Sequence, residues 1–108
     1  MKQVDEQFSG LRKGLLEFAL LTVISVERVY VADILTLLAE TPFATQEGTL
    51  YPLLSKLRRE ELVDYEWVES DAGPPRKYYS LTAKGQARLA DLGAYWRRLT
   101  TTLESLGR

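Results

Sequence analysis

Polar and basic side chains occupy one side of the segment that spans residues 45–59. Its leucines recur at positions i, i+3, i+4 and i+7 from Leu50, the spacing of a helix that packs on a core. On the opposite side, hydroxyl and first-turn N–H groups can bond phosphate, and basic groups can neutralise it. The small residues Gly48, Pro52 and Ser55 would let such a helix enter a DNA groove about 12 Å wide. The candidate DNA-binding residues here are Thr45, Gln46, Thr49, Tyr51, Ser55, Lys56 and Arg59.

An ordinary amphipathic helix with a solvated outer side has the same pattern, because amphipathicity is generic in globular proteins. Pro52 is less generic, since a proline inside a helix removes one backbone hydrogen bond and crowds the carbonyl four residues earlier, at a cost of about 3 kcal/mol. That carbonyl belongs to Gly48, where the backbone can relax. We therefore expect a tolerated bend in this helix, which is predicted to begin near Thr45 or Gln46.

A predicted β-hairpin follows this helix and carries a second basic group. The residues of its first strand alternate between two sides, as in a half-buried strand. One side consists of Val63, Tyr65 and Trp67, and the other of Asp64 and Glu66. Residues 70–75 are turn-forming, and the chain returns as a strand over 76–81. Arg76 and Lys77 lie where a wing would touch the DNA backbone or minor groove; a solvated hairpin with two basic residues at its tip fits equally well.

Two further helices are predicted before this block, over residues 9–25 and 29–40, and one after it. Thr41 and Pro42 would end the second of these, because the residue before proline avoids the α region. The order of elements predicts an α+β fold that is mostly α: a winged helix-turn-helix with a two-stranded wing and a long C-terminal dimerisation helix. We expect residues 8–82 to form the DNA-binding domain, and residues 83–108 to pack with the first helix in the same compact unit.

The last helix is predicted to start after Thr82, as its N-cap, and to run to about Leu106. Its large apolar residues are spaced 3, 4, 3, 4 and 3 apart, which is a heptad seam. This seam packs either on the first helix of the same chain or, as we favour, in a bundle formed by two subunits. Trp96 is too bulky for tight packing there and would leave a flat slot for a planar aromatic ligand. The candidate effector and dimer residues are Leu89, Leu92, Trp96, Leu99 and Leu103, followed by Leu106.

The composition excludes several kinds of protein. With 108 residues, the chain has the size of one domain. It contains neither cysteine nor histidine, which removes thiol nucleophiles, the commonest general base and the commonest transition-metal ligand. We therefore expect no enzyme, no metal and no cofactor. The apolar stretch at 15–26 is too short to cross about 30 Å of hydrocarbon, and no secretory signal is recognisable, so we expect a cytoplasmic protein without a membrane partner.

The charge distribution argues against DNA binding. The net charge is −1, whereas DNA-binding domains usually carry a basic excess. Residues 81–108 contain five basic and two acidic groups, which gives +3, but residues 41–80 contain five basic and seven acidic groups, which gives −2. An alternative hypothesis is therefore a winged-helix protein-interaction module that has lost DNA binding.

Two extended motifs follow each other along the chain. They are Gly48-Thr49-Leu50-Tyr51-Pro52 and Gly73-Pro74-Pro75-Arg76-Lys77-Tyr78-Tyr79, with the segment 11–17 before them, Leu62-Val63 between them, and Leu81-Thr82 and Gly85 after them. With these motifs the chain resembles the PadR-like family of transcriptional regulators over roughly residues 8–90. The resemblance is specific, because both motifs occur in the right order at the right separation. A single helix after the wing is similar to the short subfamily.

The resemblance implies a homodimeric winged helix-turn-helix repressor that binds an inverted-repeat operator and is released by a small, often aromatic effector. Carried over by position, it assigns contacts with double-stranded DNA to Thr49, Tyr51 and Lys56 on the third helix and to Arg76 and Lys77 on the wing. A tryptophan on the last helix lines an effector pore between subunits in some short members, and Trp96 looks like its counterpart.

Three positions depart from the family pattern. Val29 precedes Tyr30 where the family usually has Gly-Tyr at the start of the second helix. Glu61 replaces a glycine after the third helix, so a left-handed cap there would be strained or absent. Glu47 replaces a small or polar residue; its carboxylate suits a helix N-terminus but repels phosphate.

Overall fold

The computed structural model describes residues 6–108 and confirms the predicted fold class. The chain is mostly helical, with an antiparallel hairpin between the third and the last helix. The elements are α1 (Ser9–Val26), α2 (Val31–Leu38), α3 (Glu47–Arg59), β1 (Val63–Ser70), β2 (Gly73–Leu81) and α4 (Ala83–Gly107). Within residues 6–108, no helix is both long enough and apolar enough to cross a membrane.

The core lies where α1, α2 and α3 meet the base of the hairpin. The leucine periodicity of the third helix is confirmed, since Leu50, Leu54 and Leu57 are fully buried and Leu53 packs against them. The helix continues through Pro52, as expected. The buried residues of the core are Leu20, Leu21, Ile24, Val29, Val31, Ile34, Leu38, Leu50, Leu54, Leu57, Leu62, Val63 and Tyr79.

The predicted start of the second helix at Val29 is wrong. The N–H of Val29 donates to the carbonyl of Tyr79 at 3.0 Å, and the N–H of Tyr79 donates back at 2.7 Å. Val29 therefore forms an antiparallel bridge with β2, and α2 begins only at Val31. A single apolar β-branched residue next to a helix has no periodicity that distinguishes the two conformations. The bridge joins the entrance of α2 to the hairpin.

A Schellman motif ends α3 and brings the chain into β1. The N–H of Leu62 donates to the carbonyl of Leu57, and the N–H of Glu61 donates to that of Arg58, each at 2.9 Å. Glu61 has a φ of 64°, in the left-handed region that favours glycine. The sequence left open whether a left-handed cap at Glu61 would be strained or absent. The cap is present, and Glu61 adopts the strained conformation.

The start of α4 is fixed to the end of α3. Thr82 is the N-cap, as predicted, and its Oγ1 accepts a hydrogen bond from the N–H of Gly85 at 2.9 Å. The same hydroxyl donates to the carbonyl of Glu61 at 2.6 Å, and the N–H of Thr82 donates to the carbonyl of Leu62 at 3.1 Å. These bonds hold the left-handed turn and the last helix together.

The wing is longer and its turn shorter than predicted. β1 extends to Ser70 and β2 begins at Gly73, so Asp71 and Ala72 alone form the turn. The pairing register shifts between Val68 and Ser70, opposite the two prolines that cannot donate to the ladder. Trp67 lies opposite Lys77, and Tyr65 lies opposite Tyr79.

Candidate functional site

The outer side of α3 is exposed along its whole length. The candidate residues Gln46, Thr49, Tyr51, Ser55, Lys56 and Arg59 are exposed, and Thr45 is half-buried just before the helix. Gln46 is the N-cap, with an extended backbone whose carbonyl accepts bonds from the N–H groups of Thr49 and Leu50 at 3.0 Å each. The structure therefore brings hydroxyl, amide and basic groups together on one helix surface.

One side of the hairpin faces this surface of α3 across a trough. The trough consists of two depressions of about 430 and 410 Å³ that share Lys77. Its α3 wall includes Tyr51, Ser55, Arg58 and Arg59, and its hairpin wall includes Tyr65, Trp67, Lys77 and Tyr79. We call this feature the helix–wing trough.

Cations and aromatic rings alternate along the trough. The Lys77 Nζ lies 4.4 Å from the ring centroid of Tyr65 and 5.3 Å from that of Trp67. The Arg58 guanidinium lies 4.4 Å from the same Tyr65 ring and also contacts Asp64 Oδ1 at 3.2 Å. The N–H of Tyr65, and then Arg58, hold the pKa of the Asp64 carboxyl below its ordinary value of 3.8. Lys77 is thus positioned by two rings, since cation–π contacts favour such geometry.

Arg76 lies on the opposite side of the hairpin from Lys77, because neighbouring strand residues point in opposite directions. Its guanidinium lies 4.6 Å from the ring centroid of Tyr30, which in turn lies 5.3 Å from the ring of Tyr78. Arg28 stacks on Tyr78 at 5.1 Å and forms an ion pair with Glu66. These contacts hold the wing against the start of α2 and so fix the orientation of the wing relative to the helix-turn-helix.

Glu47 lies at the end of the trough that also contains Trp67 and Arg76. It is exposed in the first turn of α3 and lines one depression together with Tyr51, Trp67 and Arg76. A carboxylate is favourable at a helix N-terminus but lowers the attraction of this surface for phosphate. The structure keeps this acidic group within the candidate DNA-binding surface.

The heptad seam of α4 divides into two parts. Leu89 and Leu92 are half-buried and pack against the core of their own chain. The later residues are exposed: Trp96 and Leu99 by 38% each, Leu103 by 67% and Leu106 by 69%. The first half of the seam therefore packs within its own chain. The second half is an exposed apolar surface of the kind that packing between two subunits requires.

Trp96 lines an apolar groove of about 440 Å³ between α4, α1 and the end of α2. The α1 wall of the groove includes Leu15, Phe18 and Val23, and Leu37 lies on the opposite wall. The other lining residues are Ala19, Thr22, Leu38, Thr41 and Phe43. An apolar groove with an indole at its edge can stack a flat aromatic molecule or receive an apolar helix.

Sequence reasoning missed Trp67 and Tyr30 as functional candidates. Strand alternation predicted that Trp67 would be half-buried with Val63 and Tyr65, but its side chain is 63% exposed. The reason is that Trp67 lies in the trough opposite Glu47 and Tyr51 of α3, away from the residues that pack on the core. Tyr30 did have a sequence signal, because it is the tyrosine of the Gly-Tyr pattern at the start of the second helix. Its contact with Arg76 was not predictable, because that contact depends on the bridge at Val29.

A protein-family model and several solved structures are similar to this chain. The model of the transcriptional regulator PadR-like family matches residues 20–91. A PadR-like transcription factor from Bacteroides fragilis is 44% identical, with 94% of this chain and 98% of that chain covered and a TM-score of 0.80. A PadR-like transcriptional regulator from Bacillus cereus is 38% identical, with 87% and 92% covered and a TM-score of 0.78.

Two other relatives extend the comparison. A PadR family transcriptional regulator from Eggerthella lenta is 30% identical, with 97% of this chain and 92% of that chain covered and a TM-score of 0.84. An uncharacterised curated protein from Lysinibacillus sphaericus is 29% identical over 62 residues, which is 57% of this chain. This match spans 57% of the length of that relative.

Proposed function

The chain belongs to the PadR-like family of transcriptional regulators, and on that premise we propose that it is a homodimeric repressor that binds an inverted-repeat operator in double-stranded DNA. The observation that carries this proposal is the exposed polar and basic side of α3 next to the cations of the wing. In this proposal, residues 8–82 form the DNA-binding domain and residues 83–108 the dimerisation helix.

The exposed side of α3 supports insertion into the major groove. The hydroxyls of Thr49 and Tyr51 lie near its start, where the N-terminal residues of a recognition helix reach base edges. Lys56 lies one to two turns later and is suited to a phosphate contact, as are Arg76 and Lys77 on the wing. Such contacts would fix the register of the protein on the duplex.

The exposed part of α4 supports a dimer. A helix of 25 residues is about 37 Å long, and the leucines in its second half are largely exposed in the single chain. Apolar residues that repeat with a heptad spacing are typical of a subunit interface. A two-fold dimer would present two α3 helices to the two halves of a symmetric operator.

The groove beside Trp96 supports an effector site. We propose that a small planar aromatic molecule binds there and weakens DNA binding. Its apolar lining and the half-exposed indole favour a flat ring over a charged ligand. Because the groove is formed by both α1 and α4, a molecule in it would act on the helices that join the two subunits, and through them on the spacing of the α3 helices.

A protein-interaction module without DNA binding is the second candidate function. It is favoured by Glu47 and by two arginines near the DNA-binding surface that already have acidic partners. These ion pairs are Arg28 with Glu66 and Arg58 with Asp64. Each pair reduces the charge that is available for phosphate.

Selection of bound duplexes from a random pool, with and without planar aromatic molecules, tests the proposal and separates the two candidates. We expect a two-fold symmetric consensus whose binding weakens when the right aromatic molecule is present. Enrichment of an asymmetric site would contradict the dimer. No enrichment at moderate salt would favour the interaction module.

A further inference from the structure

Trp67 is a large apolar side chain that the core does not use. It is 63% exposed, although the residues two and four positions earlier on the same strand face, Tyr65 and Val63, are half-buried and buried. A single exposed apolar residue is ordinary, but an indole held beside cations on a concave surface fits a ligand that has both apolar and anionic parts.

The position of Trp67 relative to α3 indicates what that ligand is. It lines the same depression as Tyr51 of α3 and Lys77 of the wing. When a helix lies in the major groove and a hairpin lies beside it, one strand of the DNA backbone has to pass between them. The helix–wing trough is the space between those two elements. In a DNA complex of that geometry, the trough would hold a sugar–phosphate strand.

The charges of the trough agree with such an occupant. The residues that line its two depressions include the cations Arg58, Arg59, Arg76 and Lys77 and the anions Glu47, Glu61 and Asp64. Four positive and three negative groups give +1 around the two depressions, with Arg76 at their edge beside Tyr30, whereas the chain as a whole has −1. Asp64 is moreover paired with Arg58, at the α3 wall of the trough. The apolar indole and the ammonium of Lys77 thus lie next to each other on a concave surface whose lining has a small positive net charge.

We propose that the helix–wing trough binds one sugar–phosphate strand of the operator, with the indole of Trp67 packed on a deoxyribose and Lys77 paired with the adjacent phosphate. The inference rests on the proposed DNA binding and adds a contact residue to it. Lys77 is already held between the rings of Tyr65 and Trp67, so little side-chain freedom is lost when it binds. A backbone contact of this kind adds affinity without reading the sequence.

Binding of the selected operator to Trp67→Ala, Trp67→Phe and Lys77→Ala, measured by the anisotropy of a labelled duplex over a range of salt, tests this proposal. We expect Trp67→Ala to bind roughly tenfold more weakly with an unchanged salt slope, because an uncharged apolar contact is lost. Trp67→Phe should retain most of the affinity. Lys77→Ala should lower the slope by about one. The matched control is Val26→Ala, which shortens a side chain that is 80% exposed outside the trough and should bind as the wild type does.

A second measurement reports on Trp67 directly. The chain has two tryptophans, and Trp67→Phe leaves only Trp96, so the difference in fluorescence between the wild type and Trp67→Phe isolates the signal of Trp67. Addition of operator should protect its fluorescence from acrylamide and shift its emission to shorter wavelength. If operator binds with no change in this fluorescence, or if Trp67→Ala binds as tightly as the wild type, the inference is overturned and the proposed function stands. If the wild-type chain selects no DNA at all, both are overturned. A changed consensus for Trp67→Ala would show base reading and would also overturn the backbone contact.

Discussion

Gly85 of α4 lies directly against the backbone of Leu62, so that a Cβ at position 85 would lie 1.9 Å from the Leu62 carbonyl oxygen. The same carbonyl accepts a hydrogen bond from the N–H of Thr82 at 3.1 Å. The atoms of Leu62 that a Cβ at position 85 would meet all belong to the backbone, so no rotation of a side chain can move them aside. The close contact therefore fixes the position of the start of α4 relative to the end of α3.

Gly85→Ala should destabilise the fold by about 3 kcal/mol or more, because α4 has to move away from the end of α3 and the Thr82 bond is strained or lost. Urea unfolding at one fixed protein concentration measures this. Gly14→Ala is the matched control, since, apart from its chain neighbours and its own helix backbone, no atom of residues 6–108 lies within 4 Å of a Cβ at that exposed position of α1. Alanine should stabilise that helix by up to about 1 kcal/mol. Equal stabilities of the two variants would contradict the close contact.

Glu61→Gly should stabilise the protein by about 0.5–1 kcal/mol. The left-handed conformation with φ of 64° costs a glutamate free energy that glycine does not lose, and this gain exceeds the entropy that glycine loses on folding. Thermal and urea unfolding measure the change. Glu60→Gly is the control, because Glu60 has a φ of −82° and glycine there should only destabilise. A loss of stability in Glu61→Gly would show that its side chain contributes more than its backbone strain costs.

The elements that form the proposed DNA-binding surface were predictable from the sequence because their signals are local. The leucines of α3 repeat within a few turns, and Thr82 precedes its helix at the usual distance for an N-cap. The motif from Gly73 to Tyr79 likewise lies in one hairpin. Each of these signals depends only on residues close in sequence, so no tertiary contact was needed to interpret them.

The features that the sequence did not predict depend on contacts between distant segments. Val29 is a strand residue because Tyr79, far along the chain, supplies its hydrogen-bond partner. Trp67 is exposed because it lies in the trough between the hairpin and α3, which strand alternation alone does not reveal. Arg76 and Lys77 are neighbours in sequence but contact different rings on opposite sides of the hairpin. Such relationships appear only once the elements are packed.

Lys56→Ala and Arg76→Ala should each weaken operator binding and lower the slope of log K against log salt by about one, because each removes one phosphate partner. Arg98→Ala is the charge-matched control, since it removes the same charge from α4, outside the proposed DNA-binding surface. Its affinity should change little at moderate salt. Unchanged slopes in both Lys56→Ala and Arg76→Ala would contradict the proposed role of α3 and the wing.

Leu103→Glu should convert a dimer into monomers, because it places a charge in the proposed apolar interface. The side chain of Leu103 is 67% exposed in the single chain, so the substitution meets no core and should leave the fold of the monomer intact. Sedimentation measures the mass and circular dichroism the fold. Ser105→Glu is the matched control, because it adds the same charge to the same exposed end of α4 but outside the heptad seam. Since a monomer reaches only half of a symmetric operator, Leu103→Glu should also lose most of its affinity for the full site. A dimeric Leu103→Glu, or a Ser105→Glu that dissociates to the same extent, would refute the proposed interface.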